Sequence, residues 1–482
     1  MEDVENAARP DPRVSHTSHS GYHCFDHEAR THRTSLSEGR PDEWRTTRHS
    51  GMIRVQTTDQ ERPCVRLTTF FKRVLNLTSP IQAVTLENDG DSRPIVVIDV
   101  KSRARRLRCG GCERKCRRRH GAEGKVRSWR HLGLFGIAVK LRAEVYRVVC
   151  KGCGVRTTSV PWGRPGSVFT RQFEDEVAWF LQHTDQTSTA TYFGISWVTA
   201  GKIAQRVVAE KLDGSLLEDL HFIGVDEISY GRPKKFLTVV VDHERGRVVW
   251  AAEGKSSETL GQFFQVLGPE RSSRIEVVTM DMSGAYIKSV AEHAPNAEIV
   301  FDRFHVVRLL LDAVDEVRRE QQRALEGAND RKVLKKSRFS LLKNPWSLTR
   351  KEEQKLAAIQ FNNRPLYRAY LLKESFQSIY DSRTVEEADE GFTEWYGWAR
   401  RSQLRPFVSL AETLRHYWPG IRRFIELRIT NGPVEGYNSK IRMISHRAFG
   451  FHSANALIAM IMLLCSGITL SPLGHGNALH TL

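Results

Sequence analysis

Apolar positions along this chain switch between two periods, and the switches delimit its elements. From about Val74, the runs IQAVTLEND and PIVVIDVKS are rich in β-branched residues, which predicts strands of a small β-rich module. Between Arg171 and Leu212 apolar residues recur at helical spacing, and a short break at Gly194 divides the stretch into two helices. The second runs from about Ser196, a natural N-cap, to Ala209. Three strand-like runs follow, HFIGVDEISY, KFLTVVVDHE and RVVWAAEGK, with Arg245-Gly246 as the hairpin turn between the last two. Helix then alternates with strand: Glu258 to Leu267 is helical, IEVVTMDMS a strand, AYIKSVAEHA a helix and EIVFDRF a strand. Antiparallel strands followed by β-α-β units predict a mixed α/β sheet. From about His305 to Leu427 the pattern is helical and charged, which reads as an insertion into that sheet domain.

Composition narrows the partners. The chain has 73 Lys and Arg against 56 Asp and Glu, a net charge of +17, which favours a polyanion through counterion release. The longest apolar run, Ala456 to Cys465, is half the roughly 20 residues needed to span a bilayer, so it reads as a buried helix and no membrane partner is expected. Residues 1–50 lack the apolar stretch of a secretory signal, which points to the cytoplasm. They are poor in aliphatic residues, and the irregular spacing of six His between His16 and His49 reads as a solvated, disordered arm.

Five of the eight Cys lie between Cys109 and Cys153. Cys109-Gly-Gly-Cys112 and Cys150-Lys-Gly-Cys153 are two Cys-x2-Cys knuckles, each placing two thiolates on one tight turn, and four thiolates suit a tetrahedral Zn²⁺. Cys116 is an alternative ligand, though the other two have the standard spacing. The basic stretch VRSWRHLGLFGIAVKLRAEVYRVV between the knuckles is expected to pair as the strands of this zinc ribbon. Beside it, the two-helix unit places Trp197, Thr199 and Lys202 near the start of its second helix, where they would face the major groove of double-stranded DNA.

Three carboxylates stand out. Asp226 sits inside the apolar strand FIGVDEISY, Asp281 ends the strand of VVTMDMSGAY, and Glu435 falls in the first turn of a helix opened by Pro433 in NGPVEGYNSKIR. On adjoining strands and a facing helix, they would hold two Mg²⁺ ions about 4 Å apart, the arrangement that cleaves phosphodiesters. Glu227 should point to the opposite face of a regular strand. Asp302 and His305 in FDRFHVV suit either the metal site and DNA or a strand-to-helix cap. Lys440 and Arg442 suit either phosphates near the metals or a solvated helical face.

Taken in order, GVDEISYGRPKKFLTVVVDHERGRVVWAAEG, TMDMSGAY, FDRFHVVRLLLDAVDEVRR and TNGPVEGYNSKIRMISHRAFGF resemble the ISL-three family of bacterial insertion-sequence transposases. The resemblance runs from about residue 70 to the C-terminus, with His446 as a local departure where a basic residue is expected. It implies an RNase H-like catalytic core with an Asp-Asp-Glu triad at Asp226, Asp281 and Glu435, using Mg²⁺ or Mn²⁺.

The expected fold is multidomain α+β. A disordered arm (1–66) precedes a β-rich zinc-ribbon module (67–165) and a helix-turn-helix (166–215). The first part of an RNase H-like mixed α/β core (216–304), a large helical insertion (305–428) and the C-terminal helices of the core (429–482) follow. The expected function is cleavage and strand transfer at terminal inverted repeats. Pairing two ends requires a homo-dimer or higher assembly, working at the bacterial nucleoid. Two rivals remain at this point: a DNA-binding regulator with an inert catalytic fold, and an RNase H-like nuclease that cuts by structure.

Overall fold

Alternation of buried and exposed residues builds the first sheet. The computed structural model describes residues 66–471 apart from 76, 78, 102–106, 213, 232–234, 325–333, 449 and 452; most of the expected arm, residues 1–65, lies outside the described residues. Helix α1 (Leu67–Val74) precedes strands β1 (Ile81–Asn88), β2 (Pro94–Val100), β3 (Lys125–Leu134) and β4 (Ile137–Val145), in the spatial order β1-β2-β4-β3. Val139, Leu141, Ala143 and Val145 of β4 point inward against Trp129, Trp162 and Phe71. Phe135 and Gly136, with φ of 51° and 79°, make the two-residue turn between β3 and β4.

The hairpin that carries the second knuckle is smaller than the sequence suggests. The stretch between the knuckles does pair as strands, but β3 and β4 complete the four-stranded sheet. The second knuckle lies instead at the turn of a separate short hairpin, β5 (Arg147–Cys150) with β6 (Gly154–Thr157). The apolar alternation of β4 gives it a core to join, whereas strands of four residues cannot form one.

Three helices follow where the pattern predicts two: α2 (Arg171–His183), α3 (Gln186–Phe193) and α4 (Trp197–Lys211). The extra boundary is Asp185, whose carboxylate accepts the backbone N–H of Thr187 and Ser188 and so starts a new helix. Gly194, at φ 56°, ends α3, and the Ser196 hydroxyl accepts the Thr199 N–H to open α4. A buried ion network ties the unit together. Arg164 meets Glu174, Asp175 and Glu210, while Arg206 also reaches Glu174, so no charge is buried alone.

The second sheet holds β7 (Phe222–Tyr230), β8 (Lys235–Asp242), β9 (Arg247–Glu253), β10 (Val277–Met280) and β11 (Glu298–Phe301), in the order β11-β10-β7-β8-β9. The first three are antiparallel, and β10 runs parallel to both β7 and β11. Helices α5 (Ser257–Leu267), α6 (Pro269–Ser272) and α7 (Gly284–His293) occupy the connections around β10. Helix α8 (Arg303–Ala324) then leaves β11 for a helical segment: α9 (Arg338–Leu342), α10 (Arg350–Asn362), α11 (Arg364–Ile379), α12 (Val385–Arg401) and α13 (Arg405–Leu427). Its interior is aromatic, with Phe376, Phe392 and Trp395 in mutual contact and Trp418 stacked on Phe392 at 3.9 Å. Helix α13 returns to the sheet at Gly420, where a Cβ would stand 2.5 Å from the Phe301 ring.

Helix α14 (Gly432–Arg447) packs across β7, and α15 (Ala454–Cys465), the apolar run, is buried against α4 and β9. Gly224 of β7 sets how closely α14 approaches. A Cβ there would lie 2.3 Å from Val434 and 2.7 Å from His243. Gly224→Ala is therefore expected to cost about 1–3 kcal/mol through overpacking, read as a lowered denaturation midpoint. Gly214→Ala, with open space around its added carbon, should leave that midpoint unchanged or slightly raised.

Candidate active site and metal centre

Strand lengths create the site. Asp226 pairs with Val239 of β8 on one side, but β10 pairs only with Phe222, Ile223 and Gly224 of β7. Asp226 and Glu227 therefore project past the end of β10, and Asp281 follows directly on its last residue, Met280. Glu435 enters from the first turn of α14. These four residues line one cavity of about 480 Å³ with His305, Arg308, Asn438 and Arg442. Glu227 keeps the opposite face of β7: its β8 partner Thr238 bonds Tyr286 of α7, whereas Asp226 bonds Asn438 of α14 on the other side of the sheet. Glu227 reaches the rim, where it lies 3.6 Å from Lys255.

Neutral hydrogen bonds hold α14 against this concentration of negative charge. Asn438 donates its amide to Asp226 Oδ2, and the Glu227 N–H donates to Oδ1 at 2.7 Å. Two turns earlier, the Thr279 hydroxyl of β10 donates to Asn431 Oδ1 at 2.6 Å, which leaves Thr279 to accept from His243 Nε2 at 2.7 Å. Lys440, a candidate phosphate ligand, gives its ammonium to the Leu464 carbonyl at 2.8 Å, near the end of α15, where a cation also meets the helix dipole. Arg442 stays on the cavity wall.

Burial raises the carboxyl pKa of Asp226, Asp281 and Glu435 alike. The charge of Asp302 adds to the rise at Asp226 and Glu435, and the charges of Asp226 and Glu227 add to it at Asp281. His305 opposes them. Its Nδ1 lies 3.2 Å from Asp302, and that contact, with the fields of Asp226 and Asp281, holds the imidazole above its usual range. Asp281 Oδ1 is buried with no hydrogen-bond partner. A cation would relieve both the mutual repulsion and the unsatisfied oxygen, and a set of hard carboxylate oxygens fits Mg²⁺ or Mn²⁺.

A second set of donors lies in the first domain. Cys109, Cys112, Cys150 and Cys153 have sulfurs all within 4.8 Å of one another, the one such group of three or more His, Cys, Asp or Glu among the described residues. Cys116 falls outside it. The N–H groups of Gly152 and Cys153 draw the Cys150 thiol down to about 6, while the Cys112 sulfur and burial push Cys153 up to about 12, so the four sulfurs do not all ionise together without a cation among them; Gly111 N–H lies 3.3 Å from Cys109 Sγ. The acidic cavity is more open than this cluster, because like charges keep apart and ligands of two ions need not all touch.

Of the α4 candidates, Lys202 is exposed, while Thr199 and Trp197 are half-buried. The Trp197 ring lies 6.3 Å from Phe451, so it also braces the helix against the segment after α14. Sequence reasoning missed Phe304, Arg308 and Ser439, which line the cavity. Arg308 was findable, since it falls one turn after His305 on the same helical face. No helix among the described residues is long and apolar enough to cross a membrane.

Comparison with known proteins agrees with this layout. The helix-turn-helix domain of transposase family ISL3 matches residues 158–208, and a transposase domain of the same family matches residues 223–461. The transposase for insertion sequence element IS1557 of Mycobacterium tuberculosis is 36% identical over 407 residues, covering 79% of this chain and 91% of that protein. The transposase for insertion sequence element IS1001 of Bordetella parapertussis is 31% identical over 361 residues, covering 73% and 87%. With its DNA-binding helices and its transposase domain both accounted for, the chain belongs to the ISL3 family of insertion-sequence transposases.

Proposed function

We propose that the acidic cavity is an RNase H-like catalytic centre in which Asp226, Asp281 and Glu435 hold the divalent ions, Mg²⁺ or Mn²⁺. The observation that carries this reading is that these three side chains, from β7, the end of β10 and α14, line one cavity. The sheet order, three antiparallel strands followed by two parallel ones, supports the fold assignment. When bound, the ions activate the attacking oxygen and stabilise the leaving one. The chain's own residues do the rest. Asn438 orients Asp226, His305 balances the carboxylates, and Arg308 and Arg442 hold phosphate oxygens at the rim. The reaction is hydrolysis of a phosphodiester at each element end, then attack of the freed 3′-hydroxyl on target DNA, with no covalent protein intermediate.

The four cysteines hold a structural Zn²⁺ that sets the ribbon within residues 67–165. In the helix-turn-helix of 166–215, Trp197, Thr199 and Lys202 read the terminal inverted repeats, with Lys202 on phosphate. The core of 216–304 and 429–482 flanks the helical insertion of 305–428. Two chains or more pair the element ends on nucleoid DNA in the bacterial cytoplasm.

Asp226→Asn keeps the side chain's shape while removing its charge, so DNA binding should persist while Mg²⁺-dependent cleavage falls roughly 10³-fold, about 4 kcal/mol of transition-state stabilisation. A regulator with an inert core would show no cleavage to lose. A structure-specific nuclease would cut scrambled duplexes as well as terminal-repeat ones in competition. Lys202→Ala should weaken binding to all duplexes and reduce the slope of log K against log salt by about one in a salt titration. Elemental analysis should find one zinc per chain, and Cys150→Ser should lose it and lower the thermal midpoint of the N-terminal module.

A further inference from the structure

A second cavity, of about 410 Å³, shares Phe304 and Glu435 with the first. The two therefore meet along one edge, and a strand whose phosphate sits at the carboxylates has its neighbouring group at the second cavity. Its chemistry differs from that of the first. Val307, Phe424 and Phe304 give it apolar walls, and Phe304 stands at the shared edge with 57% of its surface exposed. Asn431, 2% exposed, also lines it. The amide oxygen of Asn431 is taken by Thr279, and its amide nitrogen is buried with no hydrogen-bond partner. Asp302, 7% exposed, supplies a carboxylate on the same wall.

We propose that this cavity takes one unstacked nucleobase of the DNA strand being cut, next to the scissile phosphate. The inference rests on the catalytic reading of the carboxylate cavity. A phosphate is disfavoured, because Asp302 and Glu435 both line the space against one cation, Arg303, whose guanidinium is turned over the Tyr380 ring at 4.8 Å. An aliphatic ligand does not fit, since it would leave the Asn431 amide unsatisfied at a cost. A nucleobase offers both what the apolar walls need, a flat face, and what the polar atoms need, an edge with acceptors and donors for Asn431 and Asp302. A base still paired to its complement is too broad for a concavity of this size, so it must leave the duplex to enter. Stacking on Phe304 offsets the unstacking cost, as aromatic platforms do for single strands.

The test uses the full chain and duplexes from the flanks of its own coding sequence, each with 2-aminopurine at a single position around the cleavage point. With Ca²⁺ in place of Mg²⁺, fluorescence at one position should rise several-fold on binding. Phe304→Ala should abolish the rise and slow Mg²⁺-dependent cleavage roughly tenfold or more. Replacing that nucleotide by an abasic site should restore the variant's rate toward wild type, which a folding defect would not allow. Phe339→Ala, at another exposed phenylalanine, should change neither readout. Efficient cleavage with no fluorescence rise at any position, or a rise that survives Phe304→Ala, overturns the base cavity and leaves the catalytic reading standing. Failure of the wild type to cleave any duplex in Mg²⁺ overturns both.

Discussion

Everything in the catalytic half of this protein depends on holding α14 against a sheet face that repels it. Asp226, Glu227 and Asp281 gather where β10 stops beside β7, and α14 brings Glu435 to the same cavity. Burial and mutual repulsion both disfavour that arrangement. What opposes them is uncharged: Val434 seated over Gly224, Asn438 bonded to Asp226, and Asn431 bonded to Thr279. The missing side chain at Gly224 matters most to this geometry, because it lets the helix lie close enough for both asparagines to reach the strands.

The helical segment between the two parts of the core contributes to the site as well as interrupting the sheet. Its first two turns carry Phe304, His305 and Arg308 to the acidic cavity. Its last helix is locked onto β11 where Gly420 meets Phe301, and Phe424 of that helix walls the neighbouring cavity. Both ends of the segment are thus anchored beside the carboxylates, and its aromatic interior sets the distance between them. A rearrangement among those helices would be felt at Glu435.

The N-terminal half is joined to the DNA-binding helices by short-range bonds. Arg130 of β3 donates to the Phe193 and Gly194 carbonyls at the end of α3, and His131 pairs with the Thr170 hydroxyl that caps α2. The first sheet therefore fixes the turn that precedes α4. The cysteine cluster reaches the same body through the bridge between Cys109 and Thr158.

Features set by neighbours in the chain were legible in the residues alone. Two Cys-x2-Cys spacings define tight turns, Ser196 announces a helix start, and period-two runs mark the strands of both sheets, because each follows from covalent geometry or from one face seeking burial. The carboxylates at 226, 281 and 435 were recognisable as a set through family resemblance. Their meeting in one cavity follows from where β10 stops and how closely α14 packs, which are contacts between residues far apart in the chain. The same reason explains the differences. Asp185 divides a helix because its carboxylate is free to cap, Lys440 turns to a carbonyl supplied by another helix, and β4 joins the sheet that offers it a core. Periodicity tells a side chain which face to take; only the folded chain decides what stands opposite it, and there the chemistry of this site is settled.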